Sequence, residues 1–213
     1  MANFAPLHTY NYGLAGFDRD HALKINWLWN LPKVSRLWDN PVMRALFNDW
    51  QLSGIASFIR GAPTGISINA SGVDLTGGTD GPRVLLTGNP VLAYGDRTFS
   101  RYFNTSVVTE PPVNTVGSNG QYSNFVGNAG KVVFRGPGTN NWDVALFKNI
   151  PIKERVTLQF RGEFYNLFNH PSFDGVDNAA IFTRTGQQTN NTLGHLNHDR
   201  GPRQIQLAAR VNF

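Results

Sequence analysis

The last eleven residues, 203–213, alternate almost without a break and finish on an aromatic. Ile205, Leu207, Ala209, Val211 and Phe213 share one side; Gln204, Gln206, Ala208, Arg210 and Asn212 share the other. Successive side chains of an extended backbone point to opposite faces, so a period of two marks a β-strand. One face of this strand must meet an apolar medium and the other a polar one. Its length suits a strand that crosses a bilayer, which needs roughly 9–11 residues.

Four upstream segments repeat the pattern. In 20–31, Leu23, Ile25, Trp27, Trp29 and Leu31 alternate with Lys24, Asn26, Leu28 and Asn30. In 49–60, Trp50, Leu52, Gly54, Ala56 and Phe58 oppose Gln51, Ser53, Ile55 and Ser57. This strand is expected to bend at Gly61 and Pro63 on its way towards Ile68. In 141–150, Trp142, Val144 and Leu146 oppose Asp143, Ala145 and Phe147. In 155–168, Val156, Leu158, Phe160, Gly162 and Phe164 alternate with Thr157, Gln159, Arg161, Glu163 and Tyr165. The polar side offers Arg161 and Glu163 as cross-strand partners for Arg210.

Alternation alone does not say whether the apolar face meets lipid or a soluble core. The links say more. Strands three and four are joined by Pro151-Ile-Lys-Glu154, and strands one and two by residues 32–48. The second of these holds a short helix over 41–47, capped by Asn40 or Asp39. Residues 61–141 and 169–202 are long links rich in turn residues, such as Gly77-Gly78-Thr79-Asp80-Gly81-Pro82, Asn119-Gly120 and Gln187-Gln188-Thr189-Asn190-Asn191. Short and long links therefore alternate, as they do in outer-membrane barrels with short periplasmic turns and long external loops. Strands one, three and five would then run towards the periplasm. Trp27, Trp29, Trp50, Trp142, Tyr165 and Phe213 are read as interfacial aromatics.

Composition agrees with an all-β chain. Of 213 residues, 40% are hydrophobic and 15% charged, with Gly 22, Phe 15 and no Cys. Disulfides, thiolate metal sites and cysteine nucleophiles are thereby excluded. No 18-residue apolar run exists, which excludes a transmembrane helix. The net charge of +5 is scattered rather than clustered, so nucleic acid is not an expected partner. Met1-Ala-Asn-Phe-Ala-Pro6 has neither a basic nor an apolar leader region, and no signal peptide is expected there.

Seven motifs resemble, in order, the closing part of TonB-dependent receptors of the Oar-like type. They are Phe17-Asp-Arg-Asp-His21, Asp49-Trp-Gln-Leu-Ser-Gly54, Gly61-Ala-Pro63, Arg101-Tyr-Phe-Asn-Thr105, Arg135-Gly-Pro-Gly-Thr-Asn-Asn-Trp-Asp-Val-Ala-Leu-Phe-Lys148, Arg155-Val-Thr-Leu-Gln-Phe-Arg-Gly-Glu-Phe-Tyr-Asn-Leu-Phe-Asn-His-Pro171 and Asp199-Arg-Gly-Pro-Arg-Gln-Ile-Gln-Leu207 with Phe213. These large outer-membrane proteins, abundant in acidobacteria, carry a carboxypeptidase-regulatory-like domain, a plug and most of the barrel ahead of this region. The resemblance implies that residues 1–213 are the C-terminal part of such a barrel, without signal peptide, plug or N-terminal domains. The expected fold is an antiparallel meander of about 5–6 long strands. It would be a curled, open section of a large barrel with long irregular external loops, since about 22 strands close a barrel of that class. Implied partners are outer-membrane lipid, the barrel-assembly machinery through the strand ending at Phe213, the rest of the parent receptor and a ligand at the external loops. The strand ending at Phe213 is expected to be an unpaired edge. Strands hidden in the long links would fall near 83–86 or 131–134.

No catalytic constellation stands out, and the chain is not expected to be an enzyme. The histidines are His8, His21, His170, His195 and His198. His195, His198 and Asp199 invite a metal reading, but they lie in a loop with no helix to aim them. Residues 77–81 lack the Gly-Lys-Ser/Thr ending of a phosphate cradle. Asp18, Asp20 and His21 lack a nucleophile, and no Gly-x-Ser-x-Gly elbow exists. Catalytic residues, cofactors and metals are therefore expected to be absent. A different reading is a free-standing soluble β-domain that binds a carbohydrate or protein partner through exposed Trp residues and Asn-rich loops.

Overall fold

Alternating side chains give a strand two unlike faces, and neighbouring strands keep those faces aligned only if their registers agree. The computed structural model describes residues 12–33, 40–70, 82–111, 127–153 and 156–213. Its five long strands are β1 (Ala22–Asn30), β2 (Trp50–Ile59), β8 (Thr139–Lys153), β9 (Val156–Tyr165) and β13 (Gln204–Asn212). They form one antiparallel sheet in the order β1-β2-β8-β9-β13. The five sequence segments are therefore the five strands, paired in chain order. Among the described residues the sheet does not close: β1 pairs only with β2, and β13 only with β9. Glu154 and Arg155, at the expected hairpin, lie outside the described residues.

The helix α1 (Pro41–Phe47) begins at the expected cap. The Asn40 side chain accepts the Met43 N–H at 2.8 Å, and Pro41 presets the first helical φ. Among the described residues no helix is long and apolar enough to cross a membrane.

The chain divides into two compact units. One is residues 21–59, 139–172 and 200–213, which make the sheet; the other is residues 1–20, 60–138 and 173–199. The second holds the long links. It contains short strands: β3 (Pro63–Thr64), β4 (Ser67–Ala70), β5 (Leu85–Leu86), β6 (Val108–Thr109), β7 (Phe134–Arg135), β10 (Phe173–Val176), β11 (Ala179–Phe182) and β12 (Leu196–Asp199). Two of them, β5 and β7, fall near 83–86 and 131–134, where a closed barrel would have hidden further wall strands. They pair with β6 and β3 inside this unit and add nothing to the five-stranded sheet.

A hydrophobic core explains why the long links fold. Ile66, Val84, Tyr102, Phe103, Val108, Phe134, Val176, Ala180, Phe182 and Leu193 are buried together. Phe103 stacks on Phe134 with ring centroids 4.7 Å apart. β4 and β11 pair in parallel, which joins the two long links directly. Burying a Phe or Val side chain stabilises by about 1.5–3 kcal/mol, so these side chains hold segments that have no regular period. Burial pushes the Tyr102 hydroxyl upward, against the opposing influence of Arg97, whose guanidinium donates to it at 3.0 Å.

Candidate functional site

The register sorts the sheet into two chemically distinct faces. Trp27 sits opposite Gly54, Gly54 opposite Val144, Val144 opposite Phe164, and Phe164 opposite Ile205. Every row of that parity is dominated by apolar residues, from Leu23, Ile25 and Trp29 on β1 to Leu207 and Val211 on β13. On β1, β9 and β13 several of these side chains are exposed, Leu23 by 55%, Trp29 by 56%, Phe160 by 46% and Leu207 by 79%, whereas those of β2 and β8 are half-buried or, at Gly54 and Ala56, buried. An apolar face five strands wide is far beyond the scattered exposed hydrophobics of a soluble surface. Strands of 9–15 residues match the height of a membrane-spanning barrel wall.

One charged residue interrupts this face, and its surroundings account for it. Lys148 lies opposite Trp50, is 7% exposed, and donates to the Asn48 carbonyl. Its ammonium is 5.5 Å from the centre of the Trp50 ring. The Trp50 indole N–H in turn donates to the Leu46 carbonyl at 2.8 Å. The long stem reaches the α1–β2 junction while the charge finds polar partners at the strand end. Trp27 is less marginal than its place among the interfacial aromatics implies. It packs against Trp142 at 5.9 Å and covers Gly54, where a Cβ would fall 2.3 Å from its ring.

The opposite face is mostly polar, with Lys24, Asn26, Ser57, Ser53, Asn141, Asp143, Gln159, Arg161, Glu163, Gln204 and Gln206, but it also holds Leu28, Ile55, Ala145 and Phe147. Tyr165 belongs here too, opposite Gln204, and so leaves the expected aromatic belt. A cavity of about 510 Å³ lies on this face, lined by Asn26, Ser53, Asp143, Phe147, Arg161 and Glu163 among others. A second, of about 430 Å³, shares Asp143 and Tyr165 with it and reaches Lys24 and Arg200. Arg161 pairs with Glu163 two residues away and lies over the Phe147 ring at 5.2 Å. Arg210 stands opposite Gln159, not opposite Glu163, so the expected three-residue charge cluster is a pair within β9.

The quoted motifs turn out to build corners. Asn166 and Asn169 both have positive φ (51° and 52°), which Asn tolerates better than other side-chain-bearing residues. The Asn166 N–H donates to Asp143 at 3.0 Å, and its side chain accepts the His170 N–H at 3.0 Å. Leu167 N–H reaches the Trp142 carbonyl at 2.8 Å, and the Asn169 side chain accepts the Arg203 N–H at 2.9 Å. The Asn-Leu-Phe-Asn turn thus ties the ends of β8, β9 and β13.

A second corner lies within the other unit. Arg135 bonds Asp18 at 2.6 Å, pairs with Asp20, and donates to the Gly61 carbonyl at 3.2 Å. Arg60 approaches Asp20 at 3.3 Å. A Cβ on Gly61 would fall 1.8 Å from the Gly136 carbonyl oxygen. Three motifs distant in sequence meet there. The Arg135 hydrogen bond holds the Asp18 carboxyl below the usual carboxylate range. Asp18 and Asp20 are therefore bound to arginine, while His21 is exposed.

Among the described residues no group of three or more His, Asp or Glu side chains is placed to hold a metal ion. His195 packs beside Phe99 with centroids 6.2 Å apart, and His198 sits in β12 with φ 54°. His170 stacks on Phe168 at 5.7 Å. His8, the glycine run at 77–81 and Asn119-Gly120 lie outside the described residues.

No curated protein and no solved structure matches the chain. A family model does: the outer membrane beta barrel domain matches residues 2–206. With one apolar face, one mostly polar face and an antiparallel meander that is open among the described residues already in place, the chain belongs to the outer membrane beta barrel domain family.

Proposed function

We propose that this chain is a wall section, with its attached external loops, of a TonB-dependent receptor of the Oar-like type: a transport and binding protein, not an enzyme. The observation that carries the reading is the apolar face that register aligns across all five strands, exposed on β1 and β13, in a sheet that among the described residues is open at both edges. Five strands are too few to enclose the lumen of a large barrel, and bacterial single-chain barrels start at eight. Seven motifs in the family's order support the receptor type, and several of them converge on the two corners described above. In this reading lipid covers the apolar face and the polar face lines the lumen. Further strands of the parent receptor pair with β1 and β13, the strand bearing Phe213 engages the assembly machinery, and the unit built from the long links meets ligand.

Two measurements test it. Fractionation of cells producing the parent protein should recover it in the outer membrane; recovery in the cytosol sinks the proposal. The genomic reading frame upstream of the first codon should encode a plug in frame, and its absence removes the TonB-dependent part. Expression of the 213 residues without detergent addresses the soluble-domain reading. Aggregation through the two strand edges is expected, whereas a monodisperse, cooperatively melting product would favour a soluble binding domain.

A further inference from the structure

We propose that the unit built from the long links holds a binding site for a neutral oligosaccharide, in the cleft between residues 99–105 and 188–195. The proposal rests on the reading of those links as the ligand-facing part of a receptor. The cleft has a volume of about 320 Å³ and is lined by Ser100, Thr105, Gln188, Asn190, Asn191 and His195, with Leu193 at its base. Ligand pockets of this size are typically apolar with a few placed polar groups. Here the balance is reversed: nearly every lining side chain is a hydroxyl, an amide or an imidazole. None is Asp, Glu, Lys or Arg, and His195 is the one titratable side chain in the lining, so no permanent charge is there to select a carboxylate or a phosphate.

The hydrogen-bond inventory shows which of these groups are open. Asn190 is committed: its amide donates to Asp177 at 3.0 Å and to the Ala179 carbonyl at 2.8 Å, and its side-chain oxygen accepts from Thr192. The Gln188 amide donates to the Asn190 carbonyl at 3.0 Å, which leaves its own oxygen as an acceptor. Among the described residues, the Ser100 and Thr105 hydroxyls, the Asn191 amide and the His195 ring nitrogens have no protein hydrogen-bond partner. Together these supply donors and acceptors in several directions, which is what a polyol's hydroxyls require. Outside the lining itself, the Phe99 ring is 57% exposed and packs on Phe173 at 5.4 Å and on the lining His195 at 6.2 Å. An aromatic face next to amides and hydroxyls suits a sugar ring, whose C–H face is apolar and whose rim is polar.

The two walls are also held in place before any ligand arrives. Leu196 N–H donates to the Phe99 carbonyl and Tyr102 N–H to the Gly194 carbonyl, both at 2.8 Å. Asp177 and the 194–195 segment exchange two more backbone bonds at 2.8 Å. Gly194 has φ 84°, and a Cβ there would lie 2.9 Å from the Thr105 methyl. A cleft fixed from both sides loses little further freedom on binding.

The test is calorimetric titration of the full chain in detergent micelles with xylohexaose, maltohexaose and cellohexaose, and with hexagalacturonate as the anionic comparison. At least one neutral hexasaccharide is expected to bind. Asn191→Ala and Phe99→Ala should each weaken that binding about fivefold or more, the loss expected for roughly one hydrogen bond or one ring contact. Both side chains are exposed; unchanged near-UV circular dichroism shows that the variants fold, and Gln206→Ala on β13 should bind as the parent chain does. The proposal is overturned by no binding of any neutral hexasaccharide, by preference for hexagalacturonate, or by undiminished binding in both variants. Those results leave the barrel reading intact. Cytosolic recovery of the parent protein overturns the barrel reading and is measured independently.

Discussion

Replacing Leu207 by Lys separates lipid from water as the medium over the apolar face. Leu207 is 79% exposed and opposite Gly162, so its side chain contributes little to packing within the chain. In water an exposed substitution of this kind changes stability by no more than about 0.5 kcal/mol. Within a bilayer the outcome is different. β13 runs Gln204–Asn212, which places Leu207 about 10 Å from one end and about 17 Å from the other at ~3.4 Å per residue, close to the middle of the wall. A Lys facing lipid near the midplane costs about 2–4 kcal/mol, equivalent to about 30-fold to 900-fold in the membrane-folded population. The neighbouring Gln206→Lys places the same charge on the polar face and should cost under about 0.5 kcal/mol. Urea titration of the parent receptor and of the two variants made in it, in phosphatidylcholine vesicles and followed by tryptophan fluorescence, measures the difference. Equal midpoints for Leu207→Lys and Gln206→Lys would refute the assignment of faces.

Three further outcomes are expected. Gly54→Val drives a side chain into the Trp27 ring, so it should destabilise the sheet by about 1–3 kcal/mol. Near-UV circular dichroism should lose the Trp27–Trp142 signal, and Trp27→Ala in the same chain should restore most of the stability. Asn169→Ala loses the bond to Arg203 and places Ala at φ 52°. It should cost about 1–2 kcal/mol, with Asn169→Gly recovering the backbone part in a chemical denaturation series. Asp177 lies outside the sheet. Burial pushes its carboxyl up, but bonds from Thr192, Asn190 and the Ala179 N–H, with the charge of His195, bring it below the usual carboxylate range. A lowered carboxylate contributes stability that is present above its unfolded value and is lost as pH falls through the folded value. Hydrogen exchange at residues 189–195 should therefore rise only in strong acid. Asp177→Asn should raise exchange at neutral pH and flatten that acid dependence.

The five strands and α1 were legible because each is written in a local code. A period of two survives in single segments such as Gln204–Asn212, and Asn40-Pro41 announces its helix. The corner residues Asn166, Asn169, Arg135 and Gly61 were visible as motifs, but nothing in their spacing shows that they meet. Arg135 and Asp18 become partners only after Gly61 and Gly136 approach backbone to backbone. The unit built from the long links was illegible for a related reason. Val84, Phe103, Phe134 and Phe182 come from separate stretches without periodicity, so no window of sequence contains their core. The cleft beside Phe99 is equally dispersed, between segments brought together by the Leu196 and Tyr102 backbone bonds.

The sequence by itself determined that the chain is β-rich, where its long strands run, and that each has one apolar and one polar face. Those properties follow from side-chain alternation along an extended backbone, which needs no tertiary contact. Only the tertiary structure decided that the five apolar faces merge into one surface and which parts of it, on β1 and β13 above all, stay exposed. Register aligns them, and exposure is a property of what packs above a face, which no single strand records.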